Sequence, residues 1–372
     1  MLTTTSDTRS VPDPASDGKS EYGFPRATVV LAVDPAAVEP EYLSECSSKD
    51  RPWDQHRGQA DDVATIFTGA GGVWFSRLGQ RVELCSLVLG FGWSPDRADS
   101  GALTLKLREA HFCRVRHCPI CQWRRSLMWI ARFLQVIPEV LAKYPKGRFI
   151  FLTLTQRNVP VSELRVTLRA MGKGWDRMRK RKEFAVVSGW LRTVEVTRGA
   201  DGSAHPHYHV LLLVPGGYFP PSDKYVTQVG WTKLWRESLK LDYDPIVHVE
   251  ALKPKRGRPT KGETLPALVN AAREALKYAV KPSDMTADGA WLLELTRQLD
   301  KLRFIASGGV LKDILGEGEK ETNEDLLLRE NSDGESTEAV KLFFDWRRPI
   351  RRYKRSGRDE GHGGSNQGRR GM

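Results

Sequence analysis

No apolar run in this chain approaches the ~20 residues a helix needs to cross a bilayer. No charged-then-apolar leader opens it, so the expectation is a cytoplasmic protein with no membrane partner. No GxxxxGK[ST] phosphate loop is present, so ATP-driven unwinding is not encoded. No internal repeat recurs at solenoid spacing. Cysteine is scarce, at 5 residues in 372. In a reducing compartment such cysteines read better as metal ligands than as disulfides.

Positive charge is what the chain has in excess. Lys plus Arg number 58 against 46 Asp plus Glu, a formal net charge of +12. That balance favours an anionic partner, and nucleic acid is the usual one. Hydrophobic residues make up 40%, enough for a folded core.

Composition divides the chain. Residues 1–25 are rich in Ser, Thr, Asp and Pro and read as disordered. Residues 26–84 give mixed signals, with a possible strand at Ala27 to Val33. Residues 85–145 carry most of the cysteines and read as a small subdomain. Residues 146–315 alternate strand and helix signals. Residues 316–372 turn acidic, then basic and Gly-rich, and read as a flexible tail.

Within the folded part, Arg148 to Thr155 is β-branched and aromatic, the composition of a strand. Trp190 to Thr197 alternates apolar and polar residues. It leads through a turn at Arg198 to Ser203 into Tyr208 to Val214, the pattern of an antiparallel hairpin. Pro245 to Leu252 is a further strand. Apolar stripes at helical spacing mark Arg124 to Lys143, Ser162 to Lys182, Thr227 to Leu239 and Leu265 to Val280. The fold class expected is α+β, a central antiparallel sheet with flanking helices.

The segment HPHYH at 205–209 sets three histidines at alternate positions. Alternate side chains of a strand share a face, so His207 and His209 project together, spaced to grip one cation. Glu195, on the preceding strand of the hairpin, is placed to add a carboxylate. Imidazole suits Mn and Zn, and the carboxylate extends the range to Mg. His205 enters the strand beside Pro206 and reads either as support for the ligands or as a DNA contact.

The segment EALKYAVK at 274–281 reads as helix, with Glu274 and Tyr278 one turn apart on one face. A tyrosine oxygen can attack a DNA phosphate and hold one strand end covalently. The phenol's ordinary pKa of about 10 calls for help from a polarised phosphate or a nearby cation. Lys281 is the expected cation. The bland alternative is an amphipathic helix with a half-buried tyrosine.

Cys113, Cys118 and Cys121 lie close enough in sequence for one tetrahedral zinc, with Cys85 as the natural fourth ligand. His111 and His117 compete for that place. Such a zinc would staple the N-terminal subdomain. Arg114, Arg116, Arg124 and Arg125 surround it as a candidate DNA-binding surface, and Cys46 reads as a bystander. The run KPKRGRP at 253–259 is similar to an AT-hook core, whose arginines, here Arg256 and Arg258, reach into a narrow A·T minor groove. The bland reading, which the composition favours, is a solvated basic loop.

In this order the motifs resemble the rolling-circle replication initiators of small bacterial plasmids, single-tyrosine members of the HUH endonuclease superfamily. The first block is FLTLT at 151–155 with Asn158, the second HPHYHVLL at 205–212, the third ExxKYxxK at 274–281. The cysteine block from Phe112 to Arg125 also resembles a segment common in these initiators. The resemblance spans about Cys85 to Leu315. It implies the HUH nuclease fold, Mg or Mn at His207 and His209, and nicking of plasmid origin DNA by Tyr278 through a 5′-phosphotyrosine. It also implies Glu274 activating water at termination, with a host helicase, polymerase and single-strand binding protein as partners. A conjugative relaxase is the nearest alternative, but relaxases usually carry the tyrosine before the histidines. Transposases of the superfamily share the order seen here but are shorter. A zinc-dependent DNA-binding regulator would explain the charge and the cysteines and leave the hairpin and Tyr278 as coincidences.

Overall fold

The computed structural model describes residues 40–95, 103–252, 264–277, 279–312, 321–328 and 341–357. The expected strand at Ala27 to Val33 lies outside them, as do Tyr278, Arg256 and Arg258.

The α+β expectation holds: two antiparallel sheets pack with helices around them. The strands in chain order are β1 (Val88–Pro95), β2 (Leu103–Ala110), β3 (Arg148–Thr155), β4 (Gly189–Arg198), β5 (Ala204–Val214), β6 (Val247–Ala251), β7 (Ile305–Gly309), β8 (Lys341–Arg347) and β9 (Arg352–Arg355). The larger sheet has the order β6-β3-β5-β4-β7, and the smaller one β2-β1-β8-β9.

The β4–β5 hairpin forms as its pattern predicts. Its turn contains Gly202 at φ +80°, a conformation that costs glycine little and other residues more. Across the central strands the register produces two different faces. Ile150, Leu152 and Leu154 of β3 lie with Tyr208, Val210 and Leu212 of β5 in a core covered by the Leu164–Met178 and Gln228–Leu239 helices. The opposite face grades from apolar to polar along the strands. Phe151, Leu211 and Leu191 form one row. Thr153, His209 and Thr193 form the next, then Thr155, His207 and Glu195. The Thr264–Ala275 helix covers the apolar end through Leu268, Ala271, Ala272 and Ala275. The polar rows are left for chemistry.

Two expectations are corrected. The helix expected to run from Leu265 to Val280 stops at Ala275. Helix ends leave carbonyls without intrahelical partners, and here β4 takes the last of them, at Ala275, and the one at Ala279 beyond it. The Thr193 hydroxyl donates to the Ala275 carbonyl at 2.5 Å, and the Val196 amide donates to the Ala279 carbonyl at 2.9 Å. The helix therefore ends one residue after Glu274, and the expected stacking of Glu274 with Tyr278 falls on a residue outside the described ones.

The second correction concerns the tail. Residues 341–347 and 352–355 are strands, and β8 pairs directly with β1. The segment RPIRR between them reads as a basic tail by composition, but its apolar neighbours Phe344, Trp346 and Tyr353 are buried. Trp346 and Tyr353 meet the Pro52–Gly69 helix at Asp61 and Asp54, a helix that the mixed signals of residues 26–84 did not reveal. Trp53 from that helix stacks on Phe112 and meets Trp123 and Tyr353 edge-on, with centroids 4.9–6.5 Å apart. Aromatic contacts of this kind contribute about 0.5–1.5 kcal/mol each beyond area burial. They fasten the Pro52–Gly69 helix, the cysteine segment, the Pro119–Lys143 helix and the last strand together.

Candidate active site and cysteine centre

Cross-strand register brings the first group together. Glu195 sits opposite His207, and Thr193 opposite His209. Both imidazoles converge on one carboxylate oxygen: the Glu195 Oε2 lies 2.9 Å from His207 Nε2 and 2.7 Å from His209 Nε2. All three side chains are buried. Lys277 Nζ approaches the same oxygen at 3.4 Å and pairs with Glu274. Burial opposes ionisation of Glu195. The bonds from His207 and His209, with the Lys277 charge, outweigh it and hold the carboxyl well below its ordinary range. Burial likewise opposes the Lys277 charge, and Glu195 and Glu274 raise it above an ordinary lysine.

This donor set fits a divalent cation. Two imidazole nitrogens and a carboxylate oxygen lie within 4.8 Å of one another, a mixture accepted by Mn, Mg or Zn. His209 Nδ1 meets the Thr153 hydroxyl at 3.3 Å, the outer hydrogen bond by which ligating histidines are usually oriented. His207 Nδ1 is buried without a hydrogen-bond partner among the described residues. Phe151 stacks against the His209 ring, with centroids 5.4 Å apart and planes at 23°. His205 lies beside His207, with ring centroids 5.4 Å apart, and stays outside the convergent group.

Phe151, Thr153 and Lys277 lie in the motif blocks but were given no role there, and Thr193 lies in none of them. The two threonines mark where this face of β3 and β4 turns from apolar to polar, and that change was the available signal. Lys281, the expected cation, is exposed and precedes the Pro282–Ala287 helix, whereas Lys277 reaches the carboxylate. Glu274 is exposed apart from its pairing with Lys277.

The hydroxyl of Thr193 joins the helix end to the metal-ligand row, so it invites a substitution. Thr193→Val keeps the shape and removes the donor to Ala275. An unsatisfied buried carbonyl costs about 1–3 kcal/mol. Urea unfolding is expected to show a loss in that range, and an unchanged midpoint would mean that the carbonyl finds another partner.

The four cysteines form a second centre. Cys85 and Cys113 each lie 3.6 Å from Cys121, sulfur to sulfur. All four sulfurs, Cys118 included, fall within 4.8 Å of one another and are buried. A tetrahedral zinc with bonds of about 2.3 Å places its sulfurs roughly 3.8 Å apart, close to what is seen. Backbone amides also point at the sulfurs: Arg114 N–H donates to Cys121 at 3.3 Å and Val115 N–H to Cys113 at 3.5 Å. Burial, and then the neighbouring sulfurs, push the thiols of Cys113 and Cys118 well up, while bonds from the other three cysteines hold Cys85 well below an ordinary thiol; a bound cation would hold all four as thiolates. His117 turns away to meet Thr296 at 3.0 Å, and His111 is exposed. Cys46 stands apart, against the Pro40 carbonyl.

The arginines around this centre do not make the open surface expected of them. Arg124 is buried, bonds the Leu326 carbonyl at 2.8 Å and lies over Trp53 and Trp123. Arg125 forms a fork with both carboxylate oxygens of Glu321 at 2.6 and 3.0 Å. Arg116 bonds the Leu302 carbonyl and covers Phe304. Arg114 is exposed, although it bonds the Glu321 carbonyl. A basic run flanking cysteines reads as a binding face; here aromatic rings, chain carbonyls and the Glu321 carboxylate take up Arg116, Arg124 and Arg125, and Arg114 is the exposed one.

Residues 104–354 match the family of replication proteins, a span that takes in the cysteine centre from Cys113, the histidine strand and the last two strands. The chain belongs to the replication protein family. Similar proteins agree. A "Protein rep" of Lactiplantibacillus plantarum is 40% identical over 239 residues, 62% of this chain and 71% of that protein. A "Protein rep" of Streptococcus pneumoniae serotype 2 (strain D39) is 33% identical over 311 residues, 82% and 92% of the two chains. A "Replication protein" of Staphylococcus aureus is 33% identical over 226 residues, 58% of this chain and 94% of that one. No solved structure matches the chain. The resemblance to plasmid replication initiators is thus borne out, and the sheet with its paired histidines is consistent with the HUH superfamily. Among the described residues, this replication protein has no helix long and apolar enough to cross a membrane.

Proposed function

We propose that this replication protein starts rolling-circle replication by nicking one strand at its plasmid origin, with Tyr278 as nucleophile. The observation that carries the proposal is the convergence of His207 and His209 on Glu195, with Lys277 and Ala279 both held against the same strand. Tyr278 stands in the chain between those two tethered residues. Glu195, His207 and His209 would hold Mg or Mn. When bound, such an ion supplies Lewis-acid polarisation of the scissile phosphate.

The protein's own groups do the rest. Thr153 and Phe151 fix the His209 ring. Lys277 brings a positive charge beside the ligand row, where it stabilises negative charge on the phosphate oxygens as the phenol attacks. Attack by the Tyr278 oxygen forms a phosphotyrosine on the 5′ end and releases a 3′-OH for a host polymerase. Ester energy is kept in the new bond, so rejoining needs no ATP, in agreement with the missing phosphate loop. Strand separation falls to a host helicase, and a single-strand binding protein covers the displaced strand. Four cysteine thiolates would hold Zn as a structural centre. Arg256 and Arg258 remain candidates for minor-groove contact with origin DNA.

Glu195→Gln tests the metal site. The carboxamide keeps the size and removes the charge, so Mn affinity measured by calorimetry should fall about 10–100-fold, the range seen when groups supporting a metal site are lost. Nicking of single-stranded oligonucleotides should fall with it. Unchanged Mn affinity would remove Glu195 from the ligand set. Glu274→Ala should spare the first nick and slow release of the protein from DNA, because Glu274 is assigned to water activation at termination. Equal loss of both steps would make Glu274 a positioning residue for Lys277.

A further inference from the structure

Beside the ligand row lies a cleft of about 880 Å³. Edge strand β6, the Thr264–Ala275 helix and the loop after β5 form its walls. Phe151, which stacks on His209, lies in its lining, so the cleft and the metal site share a floor. Phe219 and Tyr225 supply two more rings, backed by Tyr218, with centroids 5.1–6.2 Å apart. Tyr225 is 37% exposed, so part of its surface is available to a ligand. The polar groups are Glu250, Asn270 and Glu274. Glu250 stands opposite Phe151 in the β3–β6 register. Glu274 is already paired with Lys277.

This lining suits an unpaired base and not a phosphate. Carboxylates repel phosphate oxygens, whereas aromatic faces stack on any base freed from a duplex. A carboxylate accepts hydrogen bonds and donates none. It therefore favours a base that offers an exocyclic amino group, as cytosine and adenine do. Guanine offers one too, whereas thymine presents only its single ring N–H between two carbonyl oxygens. We propose that this cleft seats one base of the scissile strand beside the nick and selects bases with an amino group over thymine. Glu250 is the specificity-determining residue, and Tyr225 is the stacking platform. The identity of the strand rests on the nicking function proposed above; the binding preference does not need cleavage to be seen.

The test is equilibrium binding of fluorescein-labelled single strands, about twelve nucleotides long, of deoxyadenosine, deoxycytidine or thymidine. They are titrated with the full chain in Mn²⁺ and followed by anisotropy. The adenine and cytosine strands are expected to bind about tenfold tighter than the thymine strand. Glu250→Gln, whose carboxamide both donates and accepts, should reduce that ratio to about twofold or less. Tyr225→Ala should weaken all three strands about tenfold, and Tyr225→Phe should restore binding, as a stacking role requires. Thermal melting of each variant separates these effects from misfolding. Equal binding of the three strands by the wild-type chain, or a ratio unchanged in Glu250→Gln, would overturn the proposal. Base discrimination without covalent strand capture would instead sink the nicking reading and leave the cleft standing.

Discussion

Tyr278→Phe is expected to leave a folded, metal-binding, DNA-binding protein that forms no covalent adduct with DNA. The phenylalanine ring keeps the volume and loses only the oxygen proposed to attack. No second tyrosine occurs between Tyr243 and Tyr353, and Tyr353 is buried with its hydroxyl bonded to the Ser86 carbonyl. Loss of a nucleophile for which no other group substitutes lowers the chemical step by on the order of 10³-fold or more. The readout is the radiolabel that stays with the protein through denaturing electrophoresis, set beside Mn affinity and strand binding. Both of the latter should match the wild-type chain. Persistent adduct in this variant would mean that another side chain attacks.

Cys121→Ser should do the largest damage to stability. Cys121 is the hub of the sulfur cluster, in contact with both Cys85 and Cys113 and accepting from the Arg114 amide. It begins the Pro119–Lys143 helix, while Cys85 lies just before β1, so the cluster ties the small sheet to that helix. Binding of structural zinc contributes directly to folding, by about 10 kcal/mol or more in isolated zinc peptides. Losing one of four ligands should lower the melting temperature by roughly 10 °C or more and reduce the zinc content well below one ion per chain. A strong chelator should reproduce the effect on the wild-type chain. A metal-free protein with an unshifted melting temperature would show that the four buried thiols pack as ordinary core residues.

Much of the site was legible because β-strand geometry is so regular. A two-residue repeat placed His207 and His209 on one face, and the short turn from Arg198 to Ser203 set Glu195 opposite them in register. The helix end was not legible. What stops that helix is Thr193, some 80 residues earlier, and no local propensity contains that contact. The same holds for Lys277: helical spacing alone sets it beside Glu274, three residues earlier, and its reach to Glu195 on a distant strand has no local signal. The last two strands were hidden for a different reason. Arg347, Arg348, Arg351 and Arg352 give a basic, tail-like composition, yet Arg351 pairs with Asp62 and Arg352 with Glu45 from the first helices. Charge that reads as solvated is here pairing with acidic residues far away in sequence. Arg124 misled in the same way, since its guanidinium rests on two tryptophans.

The most direct measurement is strand capture from a single-stranded oligonucleotide pool of random sequence, labelled in parallel at the 3′ or the 5′ end. With Mn or Mg, the wild-type chain should retain the 3′-label through denaturation and release the 5′-label, because the tyrosine keeps the 5′ end of the downstream fragment. Removing the divalent ion, or replacing His209 with Ala, should abolish capture. Capture of the 5′-label, or capture that persists in chelator or in His209→Ala, would contradict metal-dependent attack by Tyr278 at the Glu195–His207–His209 site.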